Sequence, residues 1–137
     1  MKLYVREDGT ERMLRLVDDS AIDQFALLAL AQAEFRSAIR RRERAGDMGE
    51  SVAAEVLERF EVHLATMYVR QGMSDAVIDL ACAVIDRYPL KAYDALQLAG
   101  CLVVKSAAPS PPIFVCSDHQ LIQAAKTEGL AWLDPTE

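Results

Sequence analysis

The fold is decided by Ile113-Phe114-Val115-Cys116, a short apolar run that directly precedes a predicted helix over residues 118–128. An apolar run of this length after a proline-rich loop is typical of a buried strand. Gly129 ends the helix, and Leu130-Ala131-Trp132-Leu133 predicts another strand directly after it. Strands that alternate with helices predict an α/β domain with a mostly parallel sheet and helices on both faces.

Upstream of this unit, one further apolar run and five helical patterns fit the same fold class. The run Phe25-Ala26-Leu27-Leu28-Ala29-Leu30 favours a buried strand, although periodicity alone leaves a helix open. The first predicted helix follows the cap Asp8 and ends at Asp18-Asp19-Ser20, and the second carries Phe35, Ala38 and Ile39 inward and stops near Gly46. The third is marked by apolar residues at helical spacing from Val52 to Met67. The fourth extends from the cap Ser74 to Tyr88, before Pro89, and the fifth covers residues 92–104. The predicted inward residues are Met13, Leu14 and Val17 in the first of these helices and Val77, Ile78, Ala81, Val84, Ile85 and Tyr88 in the fourth. We expect one domain over residues 1–137.

Composition and charge exclude several classes of protein. Hydrophobic residues make up 52% of the chain and charged residues 26%, which is typical of a globular protein. The formal net charge of −6 argues against a protein that coats nucleic acid. No apolar run reaches the roughly 18 residues of a membrane span, and the polar residues 1–8 do not fit a secretory signal. Cys82, Cys101 and Cys116 are widely spaced, so we interpret them as small apolar residues with free thiols in a cytoplasmic protein.

Arginines are concentrated in one helix of this acidic chain. Arg36, Arg40, Arg41, Arg42 and Arg44 follow one another closely and are accompanied only by Glu43. A local basic stripe on an acidic protein is compatible with one polyanion-binding site. A solvated helix face explains the same pattern equally well.

Asp94 is the single charged residue in the apolar stretch 92–104. A helix that is apolar on all sides is normally buried, and a buried carboxylate needs a cation or a hydrogen-bond partner. Lys91 is the only cation within one helical turn of Asp94. We therefore expect Asp94 to have a cationic partner from outside its own helix.

Two further acids stand where parallel α/β sheets form their sites, beyond the carboxyl ends of strands. Asp118 follows the strand that ends at Cys116, and Glu34 follows the apolar run that ends at Leu30. Carboxylates gathered at one sheet edge repel each other unless a cation lies between them. Mg²⁺ or Mn²⁺, held by a few carboxylates and waters, meets this need and suits hydrolysis of a phosphodiester.

Structural explanations for the same residues remain open. Asp118 fits a helix amino terminus, where the dipole favours acids, and Glu34 could pair with Arg41 or another arginine of its helix. His119 fits a helix surface, and neither His63 nor His119 has a metal-binding spacing. Ser117 could contact a ligand, but no partnered base makes it a nucleophile.

The chain resembles the PIN-domain family, and in particular the VapC-type toxins of bacterial and archaeal toxin–antitoxin pairs. The resemblance covers nearly the whole chain and is most specific around Asp94. The matching segments are Pro89-Leu90-Lys91-Ala92-Tyr93-Asp94-Ala95-Leu96-Gln97-Leu98-Ala99, Phe114-Val115-Cys116-Ser117-Asp118 followed by Leu121 and Ala124-Ala125, Ala33-Glu34-Phe35-Arg36-Ser37-Ala38 with its arginines, and the closing strand from Leu130 to Pro135.

This resemblance implies a three-layer α/β/α fold and an Mg²⁺- or Mn²⁺-dependent endoribonuclease. Glu34, Asp94 and Asp118 would be its catalytic acids and metal ligands. Arg36, Arg40, Arg41 and Ser117 would contact RNA, and the arginines could equally meet the carboxylates of an antitoxin. The family implies inhibition by a cognate antitoxin and a homodimer. Because no apolar run is long enough for a span, we also expect no membrane association.

The sequence departs from the family pattern at its amino terminus. The family's first acid ends a first, central strand, just upstream of a segment resembling Lys2-Leu3-Tyr4-Val5-Arg6-Glu7. That strand and its Asp are missing here, and Glu7 and Asp8 fall where a helix carries them away from the strand ends. We expect either a true start about 10–15 residues upstream or a shortened chain without strong catalysis. Cys116 also stands where the family often has Ser or Thr.

Two other classes of function are open to the sequence. A catalytically impaired PIN-like module for binding or dimerisation would keep the fold and lose the reaction. A phosphorelay receiver also gathers acids at a sheet edge, but it needs an acid that ends an early strand and a lysine after a late one. The sequence offers neither.

Overall fold

The structure is a computed structural model that describes residues 1–19 and 21–137. These residues form six helices and four strands in a mixed α/β order. The helices are α1 (Thr10–Asp18), α2 (Leu30–Arg44), α3 (Glu50–Thr66), α4 (Asp75–Arg87), α5 (Ala92–Ala107) and α6 (His119–Thr127). The strands are β1 (Phe25–Leu28), β2 (Tyr68–Gln71), β3 (Ile113–Val115) and β4 (Ala131–Leu133). None of the described helices is both long and apolar enough to cross a membrane.

The chain divides into two compact units, Met1–Gly72 and Met73–Glu137. Each unit contains one pair of parallel strands, β1 with β2 in the first and β3 with β4 in the second. Parallel neighbours need a crossover connection, which α2 and α3 provide in the first unit and α6 in the second. The parallel α/β character predicted from the sequence is therefore confirmed within each unit. The single domain, the three-layer arrangement and the missing central strand stay predictions.

The core of the first unit is aromatic. Phe35 of α2 and Phe60 of α3 are 6% and 4% exposed, and their ring centroids are 4.1 Å apart. The ring of Tyr4 packs edge-on against both, with centroid distances of 5.1 and 5.4 Å. Its hydroxyl lies 2.8 Å from His63 Nδ1 and 2.8 Å from the Tyr68 hydroxyl. Burial raises the pKa of Tyr4, so the hydroxyl stays neutral and joins the segment before α1 to α3 and β2.

The second unit is built around α5. This helix packs against α4 and α6, and α6 packs in turn against β4. Val77, Val84 and Leu98 have no exposed surface. Ala95 and Ala99 are also fully buried on α5, and such small side chains let neighbouring elements approach closely. The apolar stretch that surrounds Asp94 in the sequence is therefore the central helix of this unit.

Element ends follow the local signals in most places. Ser74 caps α4, its hydroxyl accepting a hydrogen bond from the Val77 N–H at 3.3 Å, and the helix ends before Pro89. Gly129 has a φ of 72°, a left-handed conformation that glycine adopts without strain, directly after α6. The predicted strands at 25–30, 113–116 and 130–133 are confirmed as β1, β3 and β4. The predicted end of the first helix falls partly on Ser20, which lies outside the described residues.

Five local predictions are wrong. Strand β2 is missing from the sequence prediction because Tyr68 and Val69 directly follow a long helical pattern that ends in Met67. Gly9, with a φ of 86°, precedes α1 where Asp8 was expected as the cap.

The other three wrong predictions concern which side chains are buried. On α1, Leu14 is 47% exposed. On α4, Ile78 and Ile85 are 44% and 40% exposed, because only the stripe of Val77, Ala81 and Val84 is covered. Cys82 on the same helix is also exposed rather than apolar core.

Candidate acidic site of the second unit

The backbone of β3 and β4 brings two chain segments to one edge of the second unit. The two strands run parallel, and the Cys116 N–H extends their pairing by donating to the Leu133 carbonyl at 3.1 Å. Ser117 and Asp118 follow β3 at this edge, and Asp134 follows β4. Sites of parallel α/β proteins form beyond such carboxyl ends. We call Asp94, Asp118 and Asp134, which all act on the Cys116 thiol, the acidic site.

Asp118 is the N-cap of α6. Its Oδ1 accepts a hydrogen bond from the Leu121 N–H at 2.9 Å, and the residue is exposed. The interpretation of Asp118 as a helix-terminal acid is therefore confirmed. Its Oδ2 makes no hydrogen bond within the described residues, so capping leaves one carboxylate oxygen for a ligand.

Asp94 lies in the first turn of α5, where the helix dipole favours a negative charge. It is half-buried, and thus more exposed than its apolar surroundings in the sequence suggest. No ion pair or hydrogen bond holds its carboxylate in the part of the chain that the structure describes. The cationic partner predicted for Asp94 is therefore not a described side chain of the protein.

The charges of all three acids of this site act on the Cys116 thiol. Burial raises the pKa of Cys116, the backbone of Asp118 partly opposes this by hydrogen bonding, and the charges of Asp118, Asp94 and Asp134 raise the pKa further. The Asp118 N–H donates to Cys116 Sγ at 3.2 Å. One acid on α5, one at the start of α6 and one after β4 are therefore near enough for their charges to act on this thiol.

Asp134 is an acid of this site that the sequence reasoning missed. It is 1% exposed, and its Oδ1 accepts hydrogen bonds from the Thr136 N–H at 2.8 Å and the Thr136 hydroxyl at 2.7 Å. These bonds, with the nearby Ser117 hydroxyl and His119, lower the pKa of Asp134. Its position at the carboxyl end of a predicted strand was the signal that could have revealed it.

Two buried polar atoms at this position lack an ordinary hydrogen bond, and one of them belongs to Asp134 itself. Asp134 Oδ2 and Ser117 Oγ make no hydrogen bond of ordinary geometry within the described residues. Buried polar atoms are nearly always hydrogen-bonded, so each exception needs an explanation such as a ligand or an ion. Ser117, predicted to contact RNA, thus lies at the acidic site, with its buried hydroxyl close to the Asp134 carboxylate.

Glu34 lies in α2 of the first unit and is half-buried. The amino group of Met1 has a pKa lowered by burial, and the carboxylates of Glu7 and Glu34 partly offset that effect. Glu34 is therefore close to the Met1 amine. Its role beside Asp94 and Asp118 stays a prediction.

Some arginines of α2 form ion pairs with glutamates and others do not. Arg36 pairs with Glu61 at 3.0 Å, and Arg40 pairs with Glu43 at 2.6 Å. Arg42 pairs with Glu7 at 3.2 Å. Among the described residues, the exposed side chains of Arg41 and Arg44 form no ion pair. Arg41 is thus the most available of the three arginines predicted to contact RNA.

Comparison with known protein families and curated proteins finds no match to this chain. No protein-family model matches the chain, and no curated protein matches its sequence. Carboxylates whose charges act on one point suit a divalent cation.

The thiol of Cys116 provides a test of this geometry. In protein carrying Cys82→Ala and Cys101→Ala, we expect alkylation of Cys116 by iodoacetamide to rise with pH around a midpoint above that of an ordinary thiol. Asp94→Asn should move the midpoint to lower pH, because the thiolate is the reactive form and loses a repelling neighbour. The rate is measured across pH 7–11 in the presence of a chelator.

Asp79→Asn is the matched control for this experiment. Asp79 is exposed on α4 and is not among the charges that act on Cys116. Its substitution should leave the midpoint unchanged. An identical pH profile for Asp94→Asn and Asp79→Asn would show that the Asp94 carboxylate does not reach the thiol.

Proposed function

We propose that this chain is an Mg²⁺- or Mn²⁺-dependent endoribonuclease of the PIN type, acting as the toxin of a toxin–antitoxin pair. The observation that carries the proposal is that the charges of Asp94 and Asp118 both act on the Cys116 thiol, to which the Asp118 N–H also donates at 3.2 Å. These are two of the three acids at which the sequence resembles VapC-type toxins. The parallel strand pairs of the two units are compatible with the three-layer α/β/α fold of that family.

The charge balance of the acidic site supports a metal ion there. Asp94 has no cationic partner in the described protein, and Asp118 uses only one oxygen for its helix. Magnesium sites need only one or two carboxylates, with waters completing the shell. Asp94, Asp118 and, in this proposal, Glu34 would hold the ion. A bound Mg²⁺ or Mn²⁺ would neutralise charge on the phosphodiester and lower the pKa of an attacking water.

The arginines of α2 are proposed to hold the RNA backbone. Arg41 is exposed and without an ion pair among the described residues, so it can meet a phosphate at little cost. Arg36 and Arg40 must first leave Glu61 and Glu43. Exposed pairs of this kind contribute only about 0–1 kcal/mol, so a phosphate can displace them. Ser117 is proposed to orient the substrate at the acidic site.

The proposed function also implies partners for this protein, namely an antitoxin and a second copy of the chain. An acidic segment of a cognate antitoxin would compete with RNA for the α2 arginines, and a homodimer and a cytoplasmic location are further parts of the proposal. The rival function is a catalytically impaired PIN-like binding or dimerisation module. It predicts binding of RNA or a protein partner without cleavage.

The test is cleavage of RNA by the purified chain. We expect fluorescently labelled RNA to be cut internally in millimolar Mn²⁺ or Mg²⁺ and to remain intact in EDTA, with activity restored when the metal is returned. Cleavage that persists in EDTA would contradict the metal mechanism. Binding without cleavage in either metal would support the rival module.

A further inference from the structure

A second cluster of metal-binding groups lies at the same edge of the second unit. His119, Asp134 and Glu137 each offer one ligand atom, and these atoms all lie within 4.8 Å of one another. His119 begins α6 directly after the cap Asp118, and Asp134 follows β4. The parallel pairing of β3 and β4 therefore brings together residues that the sequence separates.

The buried member of this cluster has an oxygen with no hydrogen bond of ordinary geometry. Asp134 is 1% exposed, and both of its hydrogen bonds from Thr136 go to Oδ1. Its Oδ2 makes no hydrogen bond of ordinary geometry within the described residues, although the Ser117 hydroxyl is close enough to the carboxylate to help lower its pKa. A charged oxygen held in this way is costly unless a ligand or an ion satisfies it.

The donor set indicates the kind of ion. We propose that His119, Asp134 and Glu137 bind a divalent transition-metal ion such as Zn²⁺. An imidazole nitrogen with two carboxylate oxygens suits Zn²⁺ better than Mg²⁺, which prefers oxygen ligands throughout. Three protein ligands and a water complete a tetrahedral shell.

The geometry needs only a small adjustment for this ion. Tetrahedral ligands at about 2.1 Å from a metal lie about 3.4 Å from each other. His119 and Glu137 are exposed, so rotation of their side chains can close the remaining gap around the fixed Asp134. This cluster shares Asp134 with the acidic site but uses none of the ligands proposed for Mg²⁺ or Mn²⁺, and it does not depend on ribonuclease activity.

Binding is tested with Co²⁺ as a visible substitute for Zn²⁺, on untagged protein. We expect one Co²⁺ per chain with visible absorption bands, displaced by Zn²⁺ and retained in millimolar Mg²⁺. Asp134→Asn keeps an oxygen for Thr136, and His119→Gln changes an exposed side chain, so both variants should fold. Each should weaken Co²⁺ binding at least tenfold, whereas Asp79→Asn should not change it.

Nuclear magnetic resonance locates the ion directly, because the chain has two histidines. Zn²⁺ should shift the ring signals of His119 and leave those of His63 in place. The double variant Asp94→Asn/Asp118→Asn should bind Co²⁺ as the original chain does, which separates this site from the proposed catalytic one. Absence of Co²⁺ binding, or loss of binding in that double variant alone, would overturn the proposal and leave a water as the partner of Asp134 Oδ2.

Discussion

The substitution Asp94→Asn is expected to reduce metal-dependent RNA cleavage by about 100-fold or more. Changing a residue that only supports a metal ligand already costs about 10–100-fold in affinity or activity, and Asp94 is proposed as a ligand itself. Asparagine keeps the size of the side chain and removes the charge that holds the ion. The measurement is the initial rate of cleavage across Mn²⁺ concentrations, and partial rescue at high Mn²⁺ would indicate weakened metal binding.

Asp75→Asn is the matched control for Asp94→Asn. Asp75 occupies the first turn of α4 as Asp94 occupies the first turn of α5, and it is exposed. Removing either charge from a helix amino terminus costs about 0.3–1 kcal/mol of stability, so the two variants should unfold alike. Only Asp94→Asn should lose activity. Full activity of that variant in an otherwise active protein would refute the metal centre.

Asp118→Asn extends the same experiment to the second acid. Asparagine caps helices about as well as aspartate, so the bond to the Leu121 N–H is preserved while the charge is removed. A loss of activity without a loss of stability would therefore assign the effect to the site. Asp118→Ala would remove the cap as well and could not separate the two roles.

The substitution Phe60→Ala is expected to lower the free energy of unfolding by about 3–5 kcal/mol. Phe60 is 4% exposed, and its ring packs against those of Phe35 and Tyr4. Alanine removes these contacts and leaves a cavity in the first unit. Because small proteins are stable by only about 5–15 kcal/mol, the loss should be large. The measurement is denaturant unfolding followed by circular dichroism.

Val62→Ala on the same helix is the control for Phe60→Ala. Val62 is 53% exposed, so shortening it should change stability by no more than about 0.5 kcal/mol. Equal losses for the two variants would mean that the aromatic cluster is not the core of the first unit.

Local signals in the sequence account for most of the element boundaries. The Ser74 cap, Pro89 and the left-handed Gly129 act within a few residues of their own positions, and the structure places helix ends at each of them. Where local signals conflict, the prediction fails. Tyr68 and Val69 become β2 through pairing with β1, a distant segment of the chain that no local pattern identifies.

The candidate site shows the same division between local and distant information. The strand–acid–helix pattern places Asp118 correctly, and it also predicts the capping role that the structure confirms. The burial of Asp134 and its nearness to His119 depend on the pairing of β3 with β4, so neither follows from the sequence around them. From the sequence alone His119 is an ordinary helix-surface residue, and only the structure shows that it lies near Asp134 and Glu137.

Local sequence alone accounts for the alternating helices and strands, for the caps and breaks that delimit them, and for the position of Asp118 after a strand. Those features depend on backbone preferences and apolar periodicity over short distances. The packing of the folded chain, by contrast, leaves Ile78 and Ile85 exposed and Asp94 half-buried, and it brings the charges of three carboxylates close enough to act on Cys116. Burial and charge proximity depend on which distant segments pack together, and that is a property of the folded chain.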